Sequence, residues 1–326
     1  MDIWVNISPN IPIVARYYGY RQHTYNYNIR YVTKTTFLGG TPLFFACIFI
    51  LYKIYNIRMN PEQDHRFLVS LYARQTHKLL ELPDCGENNP YHLFFYMLPR
   101  LKFIDNGGVV EFYYSDCQNT YIGEAALAAL PSRFMRERKK REGMEYMELP
   151  PVMCGVDCVF DPWVYEYIRD IYKDCWKDTV QQKKKYTYIS RKKTQFQTRM
   201  VTNEDEYLNE IRALGFSIYC MEDLTFLEQI RLFRSSEIIT GPHGAALSFS
   251  LFCEPATIVC EIMRDVPDKG HFSDIARKCG LTFFRYTGVT EFDEKSHNMK
   301  IHKDSYIASL KEMISLKLRE KTNKDI

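Results

Sequence analysis

The chain has 326 residues, room for two domains of about 150 residues or one large one. It is 46% hydrophobic and rich in aromatics, with 24 Tyr and 21 Phe, so it can build real cores, while a net charge of +3 supplies no global field for nucleic acid. Its ten cysteines are scattered, unlike a small disulfide scaffold. Cys154 and Cys158 have a C-x3-C spacing but lack the second pair or nearby histidine of a zinc site, so ordinary thiols or a disulfide are expected there.

Residues 35–52 carry no charge, and Leu43–Leu51 is strongly apolar. The length just reaches the lower limit of a membrane span, and Arg16, Arg21, Arg30 and Lys34 before it would place the N-terminus in the cytosol. Gly39, Gly40 and Pro42 weaken that reading and favour a core segment of the first domain. The two readings imply a soluble cytoplasmic protein or a single-pass type II membrane protein of the secretory pathway.

Further on, Asn89-Pro90-Tyr91-His92 precedes a helical segment, Leu93–Phe103, with Pro99 inside or ending it. Val109–Tyr114 reads as a strand and Gly123–Leu130 as a small-residue helix. The basic run Arg133–Arg141, interleaved with Glu, is expected on the solvated face of a helix. Asp161-Pro162 starts a helix through about Asp178, with Asp as N-cap and Pro at the first position. Asp174 and Asp178 are read as surface residues of that helix. A domain boundary is expected there, dividing the chain into 1–175 and 176–326.

The second half is more regular. Tyr186–Ile189 reads as a strand. Asn203 with Glu206 reads as a capping box opening a helix that Gly215 ends. Phe216–Tyr219 is a strand, and Thr225 with Glu228 is a second capping box. Strand 237–240, helix 244–252, strand 256–261, a helix near 272–279 stopped by Gly280, and strand 281–286 follow. A last helix, about 304–319, is amphipathic through Ile307, Leu310, Ile314 and Leu318. Alternation of this kind predicts an α/β fold with a doubly wound parallel sheet. Ligands of such sheets bind beyond the C-terminal strand ends.

The turn Gly241-Pro242-His243-Gly244 falls at such an end. Free N–H groups at the start of the helix after it attract phosphate, and small residues allow close approach. His243 can donate a hydrogen bond or, as imidazolium, offset phosphate charge. Arg191, ending one strand, and Arg199, in the loop after it, suit a diphosphate because guanidinium is always charged and binds two oxygens. Glu261, ending the next strand, can accept from ribose hydroxyls. No Asp-x-Asp metal motif and no convincing Ser–His–Asp arrangement is visible.

The segments ISRKK (189–193), TRMVTNEDE (198–206), ALGF (213–216), LTFLEQIRLF (224–233), IITGPHGAALSFSLF (238–252), IVCEI (258–262) and IARKCGLTFFRY (275–286) together resemble glycosyltransferase family 61. In the first half the likeness is confined to NPYHLFFYMLPRL (89–101), similar to the family's N-x-x-H helix. The resemblance implies a GT-B fold: two Rossmann-like domains with a cleft, and the last helix packing back on the first. It implies inverting, metal-independent transfer from a UDP-sugar to a hydroxyl of a glycan or glycoprotein, with no cofactor. Ser190, Arg191, Arg199, Gly241, His243, Gly244, Ala245 and Ser248 would meet the diphosphate, and Glu261 the ribose. His92 would be the candidate base, and Asn89, Tyr96 and Glu228 are further possible site residues. An acidic residue usually stands four after that histidine in the family; here it is Tyr96. Two alternatives follow: a catalytically impaired nucleotide-sugar or glycan binder of the same fold, and an NAD-dependent enzyme. The turn is G-x-x-G rather than G-x-G-x-x-G, which counts against NAD.

Overall fold

The structure is a computed structural model, and it describes residues 2–8, 11–16, 79–82, 89–105, 107–114, 121–149, 160–176, 185–267 and 270–322. The apolar run 35–52 and the Cys154/Cys158 pair lie outside these. No helix among the described residues is long and apolar enough to cross a membrane. The chain forms two compact units, 1–72 and 73–326. Within the first, β1 (Asp2–Ser8) and β2 (Ile11–Arg16) pair antiparallel, Asp2 opposite Arg16.

The second unit contains two parallel sheets. The first is built from β3 (Leu79–Glu81), α1 (Pro90–His92), β4 (Val110–Tyr113), α2 (Tyr121–Ala128), β5 (Phe134–Glu137) and β6 (Tyr146–Glu148). Its strand order is β5-β4-β3-β6. After α1 the helix widens to a π turn over Leu93–Met97 and then tightens to a 3-10 helix over Leu98–Phe103. Pro99 explains the change: it has no N–H for the carbonyl four residues back, and its ring crowds that carbonyl. Arg100 reaches back over this turn, its Nε donating to the Tyr96 carbonyl at 2.8 Å.

The basic run departs from expectation. Phe134–Glu137 is an edge strand beside β4, not a helix, with Phe134 buried and Met135 outside. Its charges are paired instead of merely solvated: Arg133 with Asp105 at 3.0 Å and Arg136 with Glu124 at 2.7 Å. Next, α3 (Pro162–Ile171) starts after Asp161 as expected but ends by Tyr172, with a 3-10 turn to Trp176. Asp174 in that turn is exposed, and Asp178 lies outside the described residues.

The second sheet comprises β7 (Lys185–Ser190), α4 (Leu208–Ala213), β8 (Phe216–Cys220), α5 (Phe226–Arg234), β9 (Ser236–Pro242), β10 (Ile258–Ile262), α6 (His271–Cys279) and β11 (Thr282–Tyr286). Its order is β11-β10-β9-β7-β8, all parallel. From β7 the chain goes to one side for β8 and returns to the other for β9. The switch point is therefore the crevice beyond the C-terminal ends of β7 and β9, where open α/β sheets bind ligands. The expected boundary near 175 falls between the two sheets.

An antiparallel pair, β12 (Val289–Phe292) and β13 (Met299–Ile301), and the long helix α7 (Lys303–Thr322) complete the chain. Tyr306, Ile307, Leu310 and Met313 of α7 pack with Tyr188, Ile238, Ile258, Cys260 and Ile262 on one face of the second sheet. The Tyr306 hydroxyl pairs with Thr240 at 2.9 Å. Among the described residues the helix thus covers the second sheet. Leu318, expected on its apolar stripe, is 53% exposed, while the ammonium of Lys317 turns inward to the Ala256 carbonyl at 2.5 Å.

Two other elements differ in detail. The Thr225 capping box forms in full. The one expected at Asn203 does not: Glu204–Glu206 is a 3-10 turn, and α4 starts only at Leu208. The Asn203 amide instead pairs with the backbone of Ile301, donating to its carbonyl and accepting from its N–H, both at 3.0 Å. A tertiary bond made with both ends of the amide outcompetes a local cap.

Candidate active site

The β9 turn and the end of β7 meet at the switch point. Gly241 is set by packing alone: a Cβ there would lie 2.8 Å from the Ile189 carbonyl oxygen. At Gly244 a side chain would meet a charge. The φ of 173° there is ordinary extended backbone, yet a Cβ would lie 2.2 Å from Nη1 of Arg191. The guanidinium therefore rests against the turn, held by Nε donation to the Thr198 carbonyl at 3.1 Å. No carboxylate pairs with Arg191 among the described residues. Burial, and then the neighbouring charge of Arg199, push its pKa below the ordinary arginine value, with Glu222 acting the other way.

Arg199 is exposed and sits in left-handed backbone, φ 58°. The β12–β13 connection fixes it there: its N–H donates to the Ser296 carbonyl at 3.0 Å, and the next N–H to Asn298 Oδ1 at 2.9 Å. Non-glycine residues in this region cost about 1–2 kcal/mol and persist where surrounding contacts impose them.

After Gly244 the chain forms a 3-10 helix, Ala245–Phe252, rather than an α-helix. Ala245 and Ala246 are partly exposed at its start, where the first N–H groups lack helical partners. At its other end Arg169 of α3 donates to the carbonyls of Leu251 at 2.8 Å and Cys253 at 3.1 Å. Ser248 is fully buried and its hydroxyl has no hydrogen-bond partner. Inside, Phe249 and Phe252 pack on Phe94 of the first half, ring centroids 5.1 and 5.3 Å apart.

His243 is the best defined of the site residues. Its N–H donates to the Ile262 carbonyl at 2.9 Å, and its Nδ1 lies 2.5 Å from Oε1 of Glu261. Glu261 is 1% exposed, and its other oxygen accepts from Nε of Arg285 at 2.8 Å. The imidazole packs on Phe272 at 5.2 Å and meets His271 edge-on at 6.4 Å. His271, the first residue of α6, in turn meets Tyr91 at 5.1 Å. Tyr91 precedes His92, so the N-x-x-H helix of the first half lies beside the β9 turn. His92 is partly exposed, and its ring stands edge-on to Tyr96 at 5.7 Å.

Several sequence candidates have local duties instead. The buried Ser190 hydroxyl donates to Glu204 at 2.8 Å and lies 3.3 Å from the N–H of Lys192, which donates to it. Asn89 caps α1, accepting from Tyr91 N–H at 3.0 Å. Glu228 completes its capping box, accepting from Thr225 N–H at 2.8 Å, and that bond holds its pKa below the ordinary value. Sequence reasoning missed His271 and Arg285. A Gly-His at a helix start was the one available signal for His271. Arg285 becomes visible only once β11 lies beside β10, with Arg285 opposite Glu261. Among the described residues no group of three metal-ligating side chains converges.

The glycosyltransferase 61 family model matches residues 91–260, just over half of the chain. Xylan glycosyltransferase MUCI21 of Arabidopsis thaliana is 30% identical over 95 residues, covering 27% of this chain and 19% of that protein. The EGF domain-specific O-linked N-acetylglucosamine transferase of Drosophila melanogaster is 33% identical over 106 residues, 32% of this chain and 20% of that protein. The Mus musculus protein of the same name is 29% identical over 93 residues, covering 18% of its own length. These stretches span a fifth or less of each relative. The family match runs from the N-x-x-H helix through the β9 turn to β10, the segments whose geometry is described above, and by that match the chain belongs to the glycosyltransferase 61 family.

Proposed function

We propose that the chain is an inverting glycosyltransferase that moves a sugar from a UDP-sugar to a hydroxyl of a glycan or glycoprotein, without a metal. The carrying observation is the Arg191 guanidinium resting against Gly244 without a carboxylate partner, at the start of a helix with free N–H groups. The leaving diphosphate gains negative charge as the glycosidic bond breaks. Fixed cations and N–H dipoles placed beforehand stabilise that charge without reorganising. Arg191, Arg199, His243 and the N–H groups at Ala245 and Ala246 supply them. Two parallel sheets on either side of residue 175 fit a GT-B arrangement, with the donor held by the second.

Displacement with inversion needs a base for the acceptor hydroxyl. His92 takes that role in this reading: it sits on the helix that reaches the β9 turn through Tyr91 and His271. Tyr96, where the family usually carries an acid, favours a second reading, a nucleotide-sugar binder that does not turn over. Purified protein incubated with UDP-sugars and a glycan acceptor panel tests both. Product formed in EDTA supports the first; UDP binding with no product supports the second. Activity abolished by EDTA contradicts metal independence.

A further inference from the structure

The Glu261 carboxylate is placed to do something other than hold a ribose. It lies at the end of β10, between Gly241 of β9 and Arg285 of β11 in register. Alternation along the strand turns it away from the face that α7 covers, because Cys260 and Ile262 point there. At 1% exposure it has an ion-pair partner on one oxygen and an imidazole on the other. At that burial a ribose hydroxyl has little access to it. The Arg285 guanidinium is itself anchored, Nη1 donating to the Val266 carbonyl at 3.1 Å.

We propose that Arg285 and Glu261 are positioning residues that fix the ring of His243, its Nδ1–H donating to Glu261 and its Nε2–H, carried in the imidazolium form, facing the donor diphosphate. A carboxylate paired with a guanidinium only accepts hydrogen bonds, so the proton in the Glu261–His243 bond belongs to Nδ1. The ring is then held from three sides: by Glu261 at Nδ1, by Phe272 at 5.2 Å and by His271 at 6.4 Å. Its remaining nitrogen lies across the ring from the bond. The chain Arg285–Glu261–His243 thus does for an anion-binding imidazole what a buried carboxylate does for a catalytic or metal-bound one. This inference rests on the turn being the diphosphate cradle; the assignment of the Nδ1 proton does not, and it is tested separately.

Nitrogen-15 NMR of the full chain labelled at histidine, with His243 assigned by His243→Gln, reads the protonated nitrogen directly. A proton on Nδ1 is expected, and a neutral ring protonated at Nε2 overturns the proposal whatever the ligand does. Calorimetry of wild type, Glu261→Gln and Arg285→Lys with UDP and with inorganic pyrophosphate reads the consequence. Loss of a charge-assisted bond that orients the ring predicts about tenfold weaker binding of both probes in Glu261→Gln. Arg285→Lys, which keeps the charge but not the fork, should fall between it and wild type. A loss confined to UDP would make Glu261 a ribose contact and overturn the positioning role, as would affinities within twofold of wild type. Wild type that binds neither probe refutes the cradle itself. Should Glu261→Gln fail to fold, Arg285→Lys and the wild-type spectrum still decide.

Discussion

Replacing Gly244 by alanine isolates the contact on which the proposed function depends. The backbone there is extended, so alanine adopts it without strain. The added Cβ would stand 2.2 Å from Nη1 and 3.1 Å from Cζ of Arg191, where ordinary contact begins at 3.4 Å. The guanidinium must retreat by about 1.2 Å, which stretches a normal N–H···O bond to about 4 Å and ends it. A hydrogen bond to a charged group contributes about 1.5–3 kcal/mol, so UDP affinity should fall about 10- to 150-fold. Loss of the bond to the Thr198 carbonyl should cost only about 1 kcal/mol of stability. Titration calorimetry with UDP, beside thermal melts, separates the two. In the Arg191→Ala background the alanine at 244 should weaken binding no further, because both changes remove one interaction. Wild-type affinity in Gly244→Ala, or a full second loss in the double variant, refutes the argument.

Three further outcomes are expected. His92→Ala should lower kcat by about 10²- to 10⁴-fold with UDP affinity unchanged, measured by turnover and calorimetry; weaker UDP binding at unchanged kcat would make His92 a donor contact. Burial alone would raise the pKa of Asp105, but Arg133, the Gly107 N–H and Tyr167 together hold it below its ordinary 3.8. The folded value lies below the unfolded one, so its stabilisation is present above about pH 4 and is lost as pH falls through the folded value. Asp105→Asn should therefore lower Tm at neutral pH and converge with wild type in acid, read by melts across pH; a constant gap would exclude this linkage. Burial pushes the Cys260 thiol up to about 12 and raises Cys253 and Cys279 as well. Alkylation with peptide mapping should leave these three unlabelled until denaturant is added, and rapid native labelling would contradict their burial.

Much of this was legible in the sequence because its signals were local. The Thr225 box closes within one turn, and the β9 turn joins a strand to a helix over a few residues. Gly280 ends α6 in left-handed backbone, φ 68°, as glycine allows. Long-range pairing defeated the rest. Asn203 carries the right cap spacing, but the Ile301 backbone, distant in sequence, claims its amide. Arg285 gains meaning only through strand order, and the basic run at 133–141 looked helical until Asp105 and Glu124 supplied partners from elsewhere. The 3-10 geometry after Gly244 was hidden for a related reason: the apolar pattern of 245–252 suits either helix, and the choice is made by what packs on it.

That choice has a consequence for how the protein can change over time. With about three residues per turn, side chains three apart eclipse, so Phe249 and Phe252 stand one above the other and share Phe94. An insertion or deletion of a single residue between His243 and Phe249 would swing that aromatic pair by about 120°. The segment bearing His92 would then lose its footing on the helix that begins after Gly244. The length of this stretch is therefore held as firmly as the identity of Gly244.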